Sequence, residues 1–396
     1  MYPMDIHILK NLNIYTDQQI LHQAHITICN GIIKSINTCW DLTPTNLGLN
    51  PKTLEFPSTW HLIPGMIDMH THGLAGADTM DATPQALDTM SQALPKEGVT
   101  GFLASTISAD LSDIENALKN AHHYVQNTKE TQGAKLLGIH LEGPFLSPEK
   151  PGSQLKQYLL TPNISYMKRW QSLAPNLIKM TTIAPELPGC LEFIQYLKQQ
   201  NIIAAIGHTN ADYAKAMEAI SAGCTQTTHL YNAMRSIHHR EPGAVIAALL
   251  SDQISTEIIA DGIHLHPAII QCIVKLKGFD RTLLITDAMR AKQLQDGLYD
   301  FNGQQVIVQN KAAKLNDGTL AASVLGMDEA VRNMIQFTGC TLKDTIKMSS
   351  TNPAIQLGII DRKGSIAIGK DADLVILDEN YQVRFTMVEG KILHTS

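Results

Sequence analysis

The chain has 396 residues, 44% of them hydrophobic and 17% charged, with a formal net charge of -6. That length suffices for a barrel of about 250 residues plus a second small domain. The composition is that of an ordinary globular protein and excludes a basic field for nucleic acid, so an anionic ligand has to be held by a local cluster. Residues 1–10 include Asp5 and His7, and no uninterrupted apolar run approaches the roughly 20 residues of a membrane span, so no membrane is expected. Six cysteines (Cys29, Cys39, Cys190, Cys224, Cys272, Cys340) form no CxxC pair. They read as buried thiols in a reducing, cytoplasmic setting, not as a zinc knuckle or a disulfide scaffold.

In chain order, residues 1–57 contain short alternating runs at 6–9 and 25–29, broken by the hairpin signal Asn30-Gly31. The last stretch, 361–396, has the same texture, with strand-like runs at 366–368, 373–377 and 384–388. The two ends are therefore expected to join into one small β domain. Between them, residues 58–360 read as eight strand-then-helix units, with strands at 62–69, 99–105, 135–141, 178–183, 202–206, 225–228, 256–260 and 282–285. Helix-like segments at 84–96, 110–125, 211–222 and 267–277 lie between them. Eight such units make a closed (β/α)8 barrel of TIM type, an α/β fold flanked by a β-sandwich built from both termini. An open doubly wound sheet would not readily gather residues from the first and last strands into one pocket. A hairpin at 304–316 is expected before the last helix.

Polar residues fall immediately after those strands: His70 and His72, Thr106, Glu142, Glu186, His208, His229, Asp261 with His264, and Asp287. In such barrels the C-terminal rim carries the chemistry. One carboxylate, separated imidazoles and a late Asp are what a hydrolytic metal site needs. His70-x-His72 puts two imidazoles on one side of an extended strand end, but among 16 His the chain also offers His264-x-His266, so spacing alone does not decide. Asp68 reads as a hydrogen-bonding group within the barrel as readily as a catalytic one.

The segment Pro64-Gly65-Met66-Ile67-Asp68-Met69-His70-Thr71-His72-Gly73 is followed by Leu141-Glu142-Gly143-Pro144, Gly207-His208-Thr209 and His229-Leu230-Tyr231-Asn232-Ala233-Met234. Then come His239-Arg240-Glu241-Pro242-Gly243, Ala260-Asp261-Gly262-Ile263-His264 and Thr286-Asp287-Ala288. With these motifs in this order, the chain resembles the N-acetylglucosamine-6-phosphate deacetylases of the amidohydrolase superfamily, essentially end to end. The resemblance implies a TIM-like barrel with a β-sandwich from both termini. It also implies a main metal on Glu142, His208 and His229, and a second on His70 and His72 bridged by Glu142. One or two ions per subunit follow.

An N-acetyl amide is a poor electrophile, so a divalent ion has to activate water and polarise the carbonyl, and imidazoles with a carboxylate suit Zn²⁺ or Fe²⁺. Asp287 is expected as general base and acid. For the substrate phosphate, Arg240 supplies a fork of donors and His264 another. By similarity, the backbone N–H groups of Asn232 and Ala233 bind the anion, and Arg240 reaches a neighbouring subunit in a homodimer. One departure stands out. Where the family usually has Gly-Ala-His, this chain reads Gly152-Ser153-Gln154, so Gln154 is expected to donate to the acyl oxygen in place of an imidazole. The expected substrate is an amino-sugar phosphate, N-acetylglucosamine 6-phosphate. The competing readings are the galactosamine epimer, another N-acyl compound, or a non-catalytic sugar-phosphate-binding barrel.

Overall fold

The computed structural model describes residues 5–38, 51–128 and 132–396. Eight parallel strands, Met66–Thr71, Val99–Ser105, Lys135–Glu142, Ile178–Ile183, Ile203–Ile206, Gln226–Thr227, Ser255–Ile259 and Thr282–Ile285, each pair with the next. The ring is completed just beyond the last strand, where Asp287 N–H donates to the His70 carbonyl at 2.8 Å and Thr71 bridges Ala288. Asp68 ties the same seam: its carboxylate accepts from Thr286 Oγ1 at 2.6 Å and from the backbone N–H groups of Thr286 and His70. Of its two readings, the hydrogen-bonding one is realised.

Seven of the eight strands lie within one residue of their expected bounds, whereas the first, expected over 62–69, is split. His61–Pro64 pairs antiparallel with Leu374–Leu377 in the terminal sheet, and Met66–Thr71 opens the barrel. The break has two local causes. Pro64 has no N–H to continue a ladder, and a Cβ at Gly65 would lie 2.1 Å from Thr100 Oγ1, so the chain passes from one domain to the other at a glycine pressed against strand two. The helices follow their punctuation. Pro267–Lys277 starts on a proline at its first position, buries Ile270 and Ile273 and stops at Gly278.

The terminal domain is an eight-stranded sheet drawn from both ends of the chain: Ile6–Tyr15, Ile20–Cys29, Ile32–Asn37, Lys52–Glu55 and His61–Pro64 with Leu374–Leu377, Val383–Val388 and Lys391–Thr395. It encloses its own core of Leu9, Leu12, Ile14, Ile26, Ile28, Phe385 and Met387. Asn30 and Gly31 both take positive φ, 48° and 79°, as the tight hairpin turn demands. The expected strand at 366–368 does not form. Ile366 makes only a single bridge to Thr16, because Gly364 and Gly369, both at positive φ, turn the chain on either side.

The hairpin expected at 304–316 is the centre of a four-stranded antiparallel sheet, Gly297–Phe301, Gln304–Gln309, Ala312–Leu315 and Leu320–Ala322. Its apolar face, with Phe301, Val306, Val308, Ala313 and Ala322, packs on Ile107, Met289 and Ala291 at the barrel rim. Of the cysteines, Cys190, Cys224 and Cys340 are buried, Cys29 is half-buried and Cys272 is exposed, all unpaired; Cys39 lies outside the described residues. Cys272 departs from its expectation because it faces outward on Pro267–Lys277, between the buried Ile270 and Ile273. Among the described residues no helix is long and apolar enough to cross a membrane.

Candidate active site

Strand alternation places Asp68, His70 and His72 on one side of the first strand, facing the barrel axis, with His70 and His72 buried. Glu142 ends strand three. The following Gly143 has φ 92°, and a Cβ there would lie 2.1 Å from Ser108 Oγ. His208, His229 and Asp287 follow strands five, six and eight with φ of 45°, 28° and 48°. Non-glycine residues held in the left-handed region each cost about 1 kcal/mol or more, and such strain clusters at functional sites. The turns it produces aim all three side chains over the barrel mouth.

Two groups of donors converge there: Glu142, His208 and His229, and beside them His70, His72 and Asp287, the ligand atoms of each group lying within 4.8 Å of one another. Glu142 joins them. Its Oε1 is 3.3 Å from His208 Nε2 and 3.0 Å from His229 Nε2, and its Oε2 is 3.3 Å from His72 Nε2. Asp287 Oδ1 lies 3.4 Å from His70 Nε2 and 3.3 Å from His72 Nε2. The imidazoles face each other through Nε2 at 3.1 Å for His208 and His229 and at 3.3 Å for His70 and His72. Inward-facing nitrogens and carboxylate oxygens in this arrangement fit a divalent metal ion.

Burial by itself would raise the two carboxyls and lower the imidazoles, but here mutual attraction wins. The His70, His208 and His229 rings hold Glu142 well below the usual carboxylate range, and His70 and His72 hold Asp287 below it too. Against its burial, His70 is raised well above the ordinary imidazole value by Asp287 and Glu142, and His72 is raised to about 9 by the same pair. Both carboxylates are therefore held in the anionic form.

A second layer of residues holds these donors, and most of it was not singled out from sequence. Glu257, fully buried on strand seven, takes His70 Nδ1 at 3.3 Å, the His229 backbone N–H at 3.2 Å and Gln226 Nε2 at 2.6 Å. His140 sits edge-on to His70 with ring centroids 4.4 Å apart, bonded to Ser105 and Thr182; burial, then the His70 charge, push it well below the ordinary imidazole value. A charged Glu257 beside Ile258 and Ile259 in a barrel strand was the available signal. Glu186, noted at the rim, accepts from Thr209 Oγ1 and the Asn210 N–H and so fixes the loop carrying His208.

The donors open into a cavity of about 290 Å³ lined by His72, Glu142, Gly152, Ser153, His208, His229, Asn232, Ala233, His264, Asp287 and Thr319 to Ala321 of the inserted sheet. His264 reaches it with Nδ1 fixed to Asp261 Oδ2 at 2.6 Å. Two expectations change here. Gln154 does not reach the cavity wall: its Nε2 donates to Glu142 Oε2 at 2.8 Å and its Oε1 accepts the Ser108 N–H at 2.7 Å. Asn232 lines the cavity, but its N–H donates to the His229 carbonyl at 3.0 Å, because the turn after strand six closes on itself, so that N–H is not turned toward an anion. Arg240 is exposed, bonded to His239 Nε2 at 2.7 Å, and is not on the wall of its own chain's cavity.

Comparison with known proteins agrees with this architecture. The amidohydrolase family model matches residues 61–393. The chain is 45% identical over 390 residues to the N-acetylglucosamine-6-phosphate deacetylase of Bacillus subtilis, covering 98% of this chain and 97% of that one. It is 34% identical to the N-acetylgalactosamine-6-phosphate deacetylase of Escherichia coli O157:H7, over 98% and 99% of the two chains. The solved N-acetylglucosamine-6-phosphate deacetylase of Pasteurella multocida superposes with a TM-score of 0.91 at 30% identity, covering 98% of this chain and 99% of that one. On its barrel, its paired donor groups and these similarities, the chain belongs to the amidohydrolase family.

Proposed function

We propose that the protein hydrolyses the N-acetyl group of N-acetylglucosamine 6-phosphate, giving glucosamine 6-phosphate and acetate, with Zn²⁺ or Fe²⁺ as cofactor and two ions per subunit. The observation that carries this reading is the Glu142 carboxylate between two histidine groups at the floor of the cavity, in a chain 45% identical to a named deacetylase. That 45%, against 34% for the galactosamine relative, favours the gluco epimer.

Glu142, His208 and His229 would hold one ion, and His70, His72 and Asp287 the other, with Glu142 between them. A divalent ion so bound supplies Lewis acidity toward the acetyl carbonyl and the attacking water. The residues do the rest. Asp287, kept anionic, takes a proton from the water as its oxygen bonds to the acetyl carbon, then returns it to the sugar nitrogen as the C–N bond breaks. His264, on the cavity wall and oriented by Asp261, offers Nε2 to the phosphate. Thr319 to Ala321 cover the site from the inserted sheet. Arg240, which stands outside its own chain's cavity, is assigned by the resemblance to the phosphate of a neighbouring subunit, and on that reading the working form is a homodimer. Unpaired Cys190, Cys224 and Cys340 favour a reducing, cytoplasmic setting.

The test is acetate release by protein loaded with Zn²⁺ or Fe²⁺ from the gluco and galacto 6-phosphates and from the free sugars. The expected order puts N-acetylglucosamine 6-phosphate first. Failure to release acetate from either phosphate would point to the non-catalytic barrel.

A further inference from the structure

Glu257 has no place in the hydrolysis just described, yet it touches both donor groups. It lies in Ser255–Ile259, the seventh barrel strand, every residue of which is buried. A carboxylate fully removed from water has to be matched by donors, and three converge on it. Oε1 takes Gln226 Nε2 at 2.6 Å, and Oε2 takes both His70 Nδ1 at 3.3 Å and the His229 backbone N–H at 3.2 Å. One oxygen therefore serves a ligand from each group.

The two ties are unequal. The backbone at His229 is secured a second time, because the Leu230 N–H donates to the Glu257 carbonyl at 2.9 Å, a bond that no substitution of the side chain removes. The His70 ring has no comparable substitute. Its Nε2 faces His72, Glu142 and Asp287, which leaves Nδ1 as the only nitrogen that can be anchored from behind. An Nδ1–H donated to a carboxylate fixes the proton on that nitrogen, presents the Nε2 lone pair to a metal and makes the ring more basic.

We propose that Glu257 is the positioning residue of the second metal site: it sets the tautomer and the aim of His70, and thereby decides whether the chain holds one ion or two. This rests on the metal-site reading above and deepens it. The chemistry it serves is that of a borderline divalent transition ion, Zn²⁺ being the probe.

The experiment counts Zn²⁺ per chain by elemental analysis at fixed free Zn²⁺ and measures each affinity by chelator competition, with no substrate present. Glu257→Gln is the informative variant. Gln226 Oε1 has no partner among the described residues, so the Gln226 amide can turn to accept from the new amide, and shape is retained while His70 is left a neutral acceptor. The wild type is expected to hold two ions. Glu257→Gln is expected to keep the first at unchanged affinity and to bind the second about 10- to 100-fold more weakly, with the melting temperature of the metal-free form unaltered. His70→Asn should remove the second ion, and adding Glu257→Gln to it should change nothing further, because the effect runs through His70. If Glu257→Gln does not fold, Glu257→Asp, one methylene shorter, is read the same way. Equal weakening of both ions, unchanged binding of both, or a wild type with a single ion overturns the proposal. Acetate release is scored separately, so a chain that binds two ions and hydrolyses nothing defeats the proposed function alone.

Discussion

The side-chain amide of Gln154 donates to Glu142 Oε2 at 2.8 Å while its carbonyl takes the Ser108 N–H at 2.7 Å. The amide can lie only one way round, because a carboxylate can only accept and a backbone N–H can only donate. Gln154 is thus a strut between the loop after strand two and the carboxylate that separates the two donor groups. Gln154→Ala leaves the buried Ser108 N–H without an acceptor, a loss of about 1–3 kcal/mol, and lets Glu142 rotate. We expect kcat to fall by about 10-fold or more, together with metal affinity, as removal of a ligand's support does. Gln154→His shortens the reach on one side, so its activity should not exceed that of the wild type. A rise in kcat would mean that position 154 reaches the acyl oxygen after all.

Asp287 stands against His70 and His72 through Oδ1, and its backbone closes the barrel. Asp287→Asn keeps the N–H donated to the His70 carbonyl and the side-chain volume, so the fold should survive. It removes the proton acceptor. Loss of kcat by at least about 10²-fold with KM little changed is the expected outcome in steady-state assays on metal-loaded protein. A variant altered in KM alone would show that the residue only holds substrate.

The barrel was legible because most of its strands are short, largely apolar runs followed by a polar residue, and the site because those polar residues fall on one rim. Glu142, His208, His229, His70, His72 and Asp287 all meet there. What sequence could not give is how the side chains behind the rim divide their hydrogen bonds. Gln154 sits close to the site in either role; only the position of the Ser108 N–H, 46 residues earlier, decides that its amide turns to Glu142. Glu257 is similar, since its partners come from strands one and six. The split at Gly65 was hidden for a different reason: a run of apolar residues reads as one strand until Thr100 is known to press on the glycine.

Asp261 gives a pH-dependent test. Its burial would raise the carboxyl, but the His264 side chain at 2.6 Å and the Ile263 and His264 N–H groups at 2.8 Å hold it below the ordinary value. A carboxylate depressed in the folded state contributes stability that is fully present above its unfolded pKa, near about 3.9, and is lost as pH falls through the lower folded value. The stability that Asp261 contributes relative to Asp261→Asn should therefore shrink as pH falls below about 4. Chemical denaturation across that range measures it. At neutral pH the same variant frees the His264 ring, and KM for the 6-phosphate should rise while kcat holds.

Arg240 is exposed on a loop whose neighbouring imidazoles, His238 and His239, are exposed with it. If it grips the phosphate of a neighbouring subunit, Arg240→Ala should impair turnover of the 6-phosphorylated sugar and barely change slow turnover of the free sugar. Equal loss on both would make it structural. Complementation separates the neighbouring site from its own. In a mixed dimer of Arg240→Ala and Asp287→Asn subunits, one site pairs an intact Asp287 with an intact Arg240 from across the interface, and the other lacks both. Random mixing gives half of the dimers this composition, so about a quarter of wild-type activity should return when the two poorly active proteins are unfolded and refolded together. Were Arg240 to act within its own chain, every site in the mixture would carry one defect, and activity would stay at the average of the two variants.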